Sequence, residues 1–494
     1  MIPAFFSPRS APAWMACLLV FLFALPLASP ARADGTGLEA QATRFWQTVS
    51  AKPADRPALL ALHFSAGVRE RNGDADLLET FAMLAEALGP ELASLSPSAV
   101  IKGAEGDELH YTLANGQRVS LMLVLSADDP PKIERFGVRP LPPEVAAVAP
   151  AALPAAIASH LEAEFKAGRF TGTVLVGRGD DTLYAGAFGL ADRRSGRPNT
   201  LDTPFNLGSI NKMFTGIAIA QLQAAGKLDW TDTVGRHLPD FPNAQIRDRV
   251  TLHQLLTHTS GVGSYWNQAH TDRRHELDSQ QEFLETFVDQ PLLFEPGQGM
   301  EYSNGGPVIL GLVIEAISGK NYYDYVRDAI YRPAGMTHAD HYRRDDAAAG
   351  FALGYLMGED GAWRDNTDEL SARGSAAGGG YASARDLQAF ARAMADGRLL
   401  SQAQWEVLWK AHAPQGRGMD YGYLFSSGTV AGQRWVGHNG GAPGISAEFR
   451  YYPADDLVIV VLANQDNASM AVGEWLNALV LTSLAGTPPP PSKD

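Results

Sequence analysis

The chain has 494 residues, of which 45% are apolar and 19% charged, and its formal net charge is −15. This composition is typical of a globular protein with a large core and room for two or three domains. Binding to nucleic-acid phosphates requires clustered lysine and arginine, so the acidic balance and the lack of a basic stripe exclude nucleic acid as a partner.

The first 33 residues are predicted to be an export signal. Arg9 precedes an apolar run at 16–27, and the small residues Ala31 and Ala33 form a cleavage pattern. The run is too short for a comfortable membrane span, although an uncleaved anchor is the alternative. We therefore expect a secreted or periplasmic protein that begins at Asp34 and has no membrane span after signal cleavage.

Composition divides the rest of the chain into a small block, a linker, a main block and a tail. Proline and alanine dominate residues 140–156, which read as a linker. On either side of it we place an accessory domain at 34–145 and a catalytic domain at 150–485. Residues 486–494 are a Pro-rich tail.

The small block has helical patterns followed by alternating strand patterns. Leucine-rich helical stretches at 59–62 and 77–88 precede a strand at 118–124, and Asn115-Gly116 before that strand is a hairpin signal. This order predicts a small α+β domain of helices against an antiparallel sheet. It resembles the NTF2- or cystatin-like modules that precede some exported hydrolases.

The main block has strand patterns at both ends and helical patterns between them. The predicted strands are 170–176, 182–188, 435–440, 447–452 and 457–463, and a helix is predicted at 470–484. The Arg-Gly-Asp tripeptide at 178–180 is best explained as the turn of the first hairpin. We expect an α+β architecture: one antiparallel sheet built from both ends of the block and flanked by helices, plus a helical lobe at 209–430. A cleft between sheet and lobe is the natural site.

The strongest chemical signal is a serine and a lysine three residues apart, Ser209 and Lys212, at the start of an apolar helical pattern. Residues i and i+3 share one face of a helix, so the amine can reach the hydroxyl. A serine hydroxyl needs a base to take its proton, and a lysine with a depressed pKa, or a phenolate held by one, can do so. The spacing alone also fits a helix N-cap serine beside a solvated lysine.

The surrounding sequence decides between these interpretations. Residues 205–215, 251–261 and 294–306 read FNLGSINKMFT, TLHQLLTHTSG and FEPGQGMEYSNGG. These segments resemble the serine β-lactamase superfamily, which includes class C β-lactamases, DD-peptidases, D-aminopeptidases and related esterases. The resemblance covers residues 152–484. It implies a β-lactamase/transpeptidase-like fold with Ser209 as the catalytic nucleophile.

The second element of the family is Tyr-x-Asn, which occurs here at 302–304 and at 265–267. We assign the first copy, because it follows a Pro-Gly turn and precedes an apolar helix, as in the family. The resemblance implies that Tyr302 and Lys212 form the general base system and that Asn304 holds substrate. We expect nearby cations to lower the pKa of Tyr302, so that it can accept the serine proton.

The third element is usually Lys-Thr-Gly, and here it reads His438-Asn439-Gly440-Gly441. The resemblance implies that His438 contacts substrate and that Gly440 lets substrate lie against the strand. The backbone N–H of Gly441 would pair with that of Ser209 as an oxyanion hole. Histidine replaces a permanent cation by a group that is mostly neutral near pH 7, which resembles certain DD-carboxypeptidases and D-aminopeptidases more than potent β-lactamases.

Other motifs give no competing chemistry. The pair His253 and His258 lacks the spacing of a zinc motif, so both are expected to pack or bond locally, and no metal or cofactor is expected. The glycines at 378–380 lack the lysine of a phosphate-binding loop and are expected to let the backbone pass close to the nucleophile helix. Trp266 and Tyr421 either line the cleft or pack in the core.

The sequence therefore predicts an exported serine hydrolase that cleaves an amide or ester through an acyl-enzyme on Ser209. Its partner is a small-molecule or peptide substrate, of the kind taken by DD-peptidases, D-aminopeptidases or esterases. The alternatives are a β-lactamase proper and a non-hydrolytic sensor of muropeptides or β-lactams. A further alternative gives the main role to the 34–145 block, as a tether to an envelope partner. The substrate and the oligomeric state stay open.

Overall fold

A computed structural model describes most of the chain, namely residues 35–88, 95–101, 107–113, 118–128, 130–141, 144–346, 350–358, 360–416 and 419–487. They form two compact units, one ending at Glu144 and the other beginning at Val145. The predicted signal, the Asn115-Gly116 turn and residues 488–494 of the predicted tail lie outside the described residues. None of the helices within these ranges combines the length and hydrophobicity needed to cross a bilayer.

In the first unit, helices precede an antiparallel sheet. The helices are α1 (Gly35–Ser50), α2 (Arg56–His63), α3 (Ala66–Asn72) and α4 (Asp74–Leu88). The strands are β1 (Ala99–Ile101), β2 (Asp107–Thr112), β3 (Arg118–Leu125) and β4 (Ile133–Leu141). They pair in the order β1-β2-β3-β4, each antiparallel to its neighbour.

Aromatic rings form the core of this unit. Phe45, Phe64, Phe81 and Phe136 are all buried, and Phe45 lies 5.0 Å from Phe136 between ring centroids. Phe45 lies on α1, whose buried side chains recur at the three- and four-residue spacing of an amphipathic helix. Burying each such ring contributes roughly 1.5–3 kcal/mol. The unit therefore has the helices and the antiparallel sheet that its sequence predicts.

The second unit is larger. Its helices are α5 (Leu153–Lys166), α6 (Lys212–Ala224), α7 (Val234–His237), α8 (Ala244–Arg249), α9 (Leu252–Leu256), α10 (Gln268–Arg273), α11 (Gln280–Glu285), α12 (Gly305–Ser318), α13 (Tyr322–Val326), α14 (Arg332–Ala334), α15 (Ala384–Ala395), α16 (Gln402–Trp409) and α17 (Ala468–Leu484). Its strands are β5 (Gly172–Arg178), β6 (Asp181–Phe188), β7 (Leu190–Asp192), β8 (Arg197–Pro198), β9 (Phe205–Asn206), β10 (Tyr355–Met357), β11 (Trp363–Asp365), β12 (Tyr381–Ala382), β13 (Ala413–Gly416), β14 (Met419–Tyr421), β15 (Ser426–Val430), β16 (Gln433–Ala442), β17 (Ile445–Tyr452) and β18 (Leu457–Ala463).

An eight-stranded antiparallel sheet organises this unit, with strand order β13-β14-β15-β16-β17-β18-β5-β6. Strands from both ends of the unit meet where β18 pairs with β5, and Val461 lies opposite Val174. The helical lobe includes α6, α9, α11 and α12, where α12 packs against each of the other three, whereas α15 packs on β5 and β18 of the sheet. The predicted α+β fold, with one antiparallel sheet flanked by helices and a helical lobe, is confirmed.

The structure differs from the sequence prediction at two places. Helix α5 begins at Leu153, inside the predicted linker, and Leu153 is buried. Proline is compatible with the first turn of a helix, so the Pro-Ala composition did not distinguish a linker from a helix start. In addition, β13, β14 and β15 extend the sheet within a segment predicted to be helical.

The Arg-Gly-Asp tripeptide is a hairpin turn, as predicted. Arg178 at the end of β5 pairs with Asp181 at the start of β6, and Gly179 between them has a φ of +57°.

Candidate active site

The predicted nucleophile lies on a tight turn that leads into α6. Residues Gly208–Asn211 form a 3-10 turn, and α6 begins at Lys212. Side chains three residues apart eclipse one another in 3-10 geometry, which brings Ser209 and Lys212 to the same side. Gly208 has a φ of +50°, and a methyl group there would lie 2.6 Å from the backbone nitrogen of Gly441. The turn is therefore pressed closely against β16.

Lys212 is completely buried, and its Nζ has three oxygen neighbours. It lies 3.1 Å from Ser209 Oγ, 2.7 Å from Asn304 Oδ1 and 2.7 Å from the carbonyl oxygen of Ala377. Burial lowers the pKa of Lys212 well below its ordinary value, because the charged form loses its hydration. Carbonyl oxygens only accept hydrogen bonds, so two N–H groups of the amine are committed to Asn304 and Ala377.

Three side chains from the nucleophile turn and α6 donate hydrogen bonds to one loop, residues 375–377. The consecutive carbonyls of residues 375–377 accept hydrogen bonds from Asn211 Nδ2 at 3.0 Å, Thr215 Oγ1 at 2.7 Å and Lys212 Nζ at 2.7 Å. All three donor side chains are fully buried. Unpaired carbonyls at this depth would each cost about 1–3 kcal/mol, so the loop has little freedom to leave.

The same loop continues into the glycine-rich segment. Gly379 N donates to Gly208 O at 3.3 Å, and Leu207 N donates to Gly380 O at 2.8 Å. This confirms the expectation that the glycines at 378–380 let the backbone pass close to the nucleophile helix.

Tyr302 packs over the amine. Its ring centroid lies 4.7 Å from Lys212 Nζ, and its hydroxyl is buried without a hydrogen-bond partner among the described residues. Burial raises the pKa of Tyr302 above its ordinary value, although the nearby Ser209 hydroxyl opposes this shift. The sequence interpretation expected cations to lower this pKa. Burial also disfavours the charged form of Lys212, which leaves less positive charge near the ring to stabilise a phenolate.

The two Tyr-x-Asn copies have different environments. Asn304 bridges from Lys212 to the Ser264 hydroxyl, to which its Nδ2 donates at 3.1 Å. In the other copy, Asn267 caps α10 by accepting a hydrogen bond from His270 N at 2.9 Å. Only the 302–304 copy contacts the serine–lysine pair.

His438 on β16 is buried, with 2% of its surface exposed. Its Nδ1 lies 2.5 Å from its neighbour's carbonyl, Asn439 O, so Nδ1 carries the proton. Its Nε2 lies 3.0 Å from Tyr421 Oη and therefore accepts from that hydroxyl. Burial, together with Lys212, lowers the pKa of His438 to about 3. The imidazole is neutral at physiological pH, and both of its nitrogens are bonded to protein groups.

The glycines of β16 allow its close approach to the nucleophile turn. A methyl group at Gly440 would lie 1.9 Å from Leu207 O and 3.1 Å from Ser209 N. Gly441 has open space on its side-chain face, where the nearest atom to such a methyl, Ile445 O, is 3.9 Å away. Any side chain at 440 would push the strand away from the turn.

Residues 157–482 match the family model described as Beta-lactamase. The chain belongs to the beta-lactamase family. It is 32% identical over 316 residues to Penicillin-binding protein 4* of Bacillus subtilis, which covers 60% of this chain and 69% of that protein. It is also 36% identical over 205 residues to Esterase EstB of Burkholderia gladioli, which covers 37% of this chain and 51% of the esterase.

Among solved structures, the penicillin-binding protein of Bacillus halodurans superimposes with a TM-score of 0.61 at 32% identity. The match covers 65% of this chain and 98% of that one. The resemblance drawn from the motifs is thereby confirmed, and this beta-lactamase family member is a serine hydrolase.

Several contacts of this family member's site could not be read from its sequence. The Ala377 carbonyl is a backbone group and leaves no residue-type signal. For Tyr421 the sequence predicts only that the ring lines the cleft or packs in the core, and in the structure its hydroxyl bonds to His438. Ser264 had no signal beyond its position near the second Tyr-x-Asn copy. His253 and His258 bond locally, as expected, to Tyr423 and to the backbone of Ser303 respectively.

Proposed function

We propose that this protein hydrolyses an amide or ester through a covalent acyl-enzyme on Ser209. The observation that carries the proposal is the buried Lys212 amine, whose two N–H groups are taken by carbonyl oxygens while Ser209 Oγ lies 3.1 Å away. In the neutral amine the remaining position is the lone pair, so it accepts the serine proton. The geometry is therefore that of a base and its nucleophile.

The reaction has two steps. In the first, Oγ bonds to the substrate carbonyl carbon as its proton moves to Lys212, and the leaving group departs with a proton delivered through Lys212 and Tyr302. In the second, water attacks the ester carbon, gives its proton to the same base system, and the bond to Oγ breaks as Oγ regains a proton. Tyr302 acts here as a neutral phenol that relays a proton, because burial raises its pKa.

We assign oxyanion stabilisation to the backbone N–H groups of Ser209 and Gly441. The support is the close packing of the nucleophile turn on β16, which leaves no room for a side chain at Gly208 or Gly440. Two preorganised donors of this kind contribute several kcal/mol to transition-state stabilisation, roughly 3–4 kcal/mol for each.

The substrate class follows from the charge of the pocket. His438 is neutral at physiological pH, because burial lowers its pKa to about 3, so it supplies no cation for a substrate carboxylate; burial also disfavours the charged form of Lys212. We assign His438 to shaping the floor of the site through Tyr421, beneath the substrate held by Asn304. This favours a neutral ester or amide of the kind taken by esterases and D-aminopeptidases. A penicillin-recognising DD-peptidase is the second candidate, favoured by the match to Penicillin-binding protein 4*.

We further propose that residues 1–33 direct export and are removed after Ala33, which gives a secreted or periplasmic enzyme. Edman sequencing or intact mass of the protein from the envelope or medium tests this, since an N-terminus at Asp34 is expected. An uncut N-terminus would contradict it.

We also propose that residues 34–145 form an accessory domain ahead of a hydrolase domain at 150–485. Deletion of 34–145 should leave ester turnover intact. If the deletion changes only localisation, the first unit is a tether. A folded but inactive product would contradict the division.

The test of the main proposal combines turnover with intact mass. Wild type should hydrolyse p-nitrophenyl butyrate and gain the mass of one phosphonyl group from a fluorophosphonate ester. Ser209→Ala should do neither, whereas Ser195→Ala, at an exposed serine of the β7–β8 turn, should behave as wild type. Labelling of Ser209→Ala at another residue would overturn the proposal. Incubation with benzylpenicillin then separates the candidates: a stable adduct indicates the DD-peptidase type, and hydrolysed penicillin indicates a β-lactamase.

A further inference from the structure

His258 is a buried group that the mechanism above does not use. It follows α9, has 1% of its surface exposed and has a φ of +58°. Residues other than glycine are uncommon in this left-handed conformation, although histidine adopts it more often than most; it costs on the order of 1–3 kcal/mol and persists only where the surroundings enforce it. In this conformation His258 contacts residues 301–303, the segment that carries Tyr302.

His258 holds that segment on both sides of the tyrosine. Its carbonyl oxygen accepts a hydrogen bond from Glu301 N at 3.0 Å, and its ring Nδ1 accepts one from Ser303 N at 3.2 Å. Between these two bonds, the imidazole lies 4.5 Å from the Tyr302 ring, measured between centroids. One residue thus fixes the backbone before Tyr302, the backbone after it and one face of its ring.

The protonation of the ring is set by the same contacts. Since Nδ1 accepts a hydrogen bond, the single proton of the neutral ring is on Nε2, which is buried and has no hydrogen-bond partner in the described part of the chain. Burial, with Lys212 and His438 nearby, lowers the pKa of His258 well below its ordinary value. Because Nδ1 accepts a hydrogen bond, the ring is uncharged, so it supports Tyr302 without placing a positive charge beside the Lys212 amine.

We propose that His258 is a positioning residue, which holds the Tyr302 phenol in place over the Ser209–Lys212 pair. This rests on the proposed function, because Tyr302 is taken to relay the proton in acyl transfer. A shift of about 1 Å in such a group can reduce turnover on the order of 100-fold. His258 acts only through Tyr302 and does not itself contact the reacting atoms.

Two substitutions test the hydrogen bond to the ring Nδ1, since both keep the backbone carbonyl that accepts from Glu301 N. His258→Leu removes the acceptor for Ser303 N, whereas His258→Asn keeps an acceptor near the place of Nδ1 and tolerates a positive φ. With p-nitrophenyl butyrate, we expect His258→Leu to lower kcat on the order of 100-fold with little change in KM. His258→Asn should recover at least about tenfold of that loss, since one of the two flanking bonds is restored.

His253→Leu is the matched control. His253 lies on α9, is half-buried and bonds through Nδ1 to Tyr423 Oη at 2.9 Å; among the described residues it makes no hydrogen bond or ring contact with Tyr302. The His253→Leu variant should lower the melting temperature about as much as His258→Leu does, while its kcat stays near the wild-type value. If His253→Leu and His258→Leu lower kcat equally, the effect is general destabilisation and the proposal fails.

A double-mutant cycle with Tyr302→Phe gives the decisive result. In the Tyr302→Phe background there is no phenol left to position, so adding His258→Leu should lower kcat by less than about threefold more. If the two sites were independent, their separate effects on kcat would multiply. The same large loss in both backgrounds would overturn the proposal. Failure of the proposed function would show separately, as turnover that survives Ser209→Ala.

Discussion

Asn304 Oδ1 accepts a hydrogen bond from Lys212 Nζ at 2.7 Å and so joins the start of α12 to the start of α6. An amide oxygen satisfies one N–H of the amine without adding charge. It therefore does not offset the burial that lowers the pKa of Lys212. A carboxylate of the same shape would have the opposite effect, which makes position 304 a control point for the proposed base.

Asn304→Asp should raise the pKa of Lys212, since a negative oxygen beside the amine favours its protonated form. We expect kcat/KM at pH 7 to fall at least about tenfold and partial activity to return at higher pH. The measurement is the pH dependence of kcat/KM for wild type and variant with one ester substrate. A variant with lower activity but an unshifted profile would show that Asn304 serves only to bind substrate.

For the wild type, the direction of the Lys212 shift fixes the form of the pH profile. Below the lowered pKa the amine becomes an ammonium and cannot accept the serine proton, so kcat/KM should fall by about a decade per pH unit on the acid side. Above that pKa it should stay level through pH 9, because burial raises the pKa of Tyr302 above its usual 10. A second rise in kcat/KM on the alkaline side of that plateau would instead identify a phenolate as the base.

Gly208→Ala should disable the site by moving the nucleophile turn from β16. The added methyl would meet Gly441 N at 2.6 Å, in a residue whose φ is already +50°. Loss of oxyanion alignment predicts a fall in kcat of about 100-fold or more. Gly226→Ala is the control, since Gly226 has a φ of +65° but nothing within 4 Å of the added methyl. Equal losses in both variants would mean that backbone strain, not the contact with Gly441, is responsible.

His341 should make the enzyme sensitive to acid. Its ring is fully buried with neither nitrogen hydrogen-bonded among the described residues, and burial lowers its pKa to about 3. Between that value and the ordinary 6.5, the unfolded chain binds a proton that the folded chain does not, so stability falls as pH falls.

Going from pH 7 to pH 5, this group alone should remove about 2 kcal/mol from the free energy of unfolding. His341→Phe should lessen the acid dependence by that amount in urea titrations, and the exposed His275→Phe should not. An unchanged difference between pH 7 and pH 5 in His341→Phe would contradict the assignment.

The sequence predicted the parts of this site that depend on local spacing or on a known motif. Ser209 and Lys212 come together because three residues separate them at a helix start, and strand periodicity predicted β5, β6 and β16–β18. The direction of the Tyr302 pKa was wrong, because a motif does not show how deeply its tyrosine is buried or that burial also disfavours the charged form of its neighbouring lysine. Contacts such as that of Ala377 O with Lys212 could not be predicted, since they depend on how a distant loop folds back.

Strand β18, residues 457–463, lies between β17 and β5, so it joins the C-terminal strands of the eight-stranded sheet to the N-terminal ones. During synthesis, β5 and the whole helical lobe leave the ribosome before this partner exists. Contacts between such distant parts of a chain slow folding, because a long loop must be ordered before they form. A chain that stops before residue 457 would therefore carry the serine–lysine pair without the strand that completes the sheet, and a C-terminal truncation there should yield an unstable, inactive product.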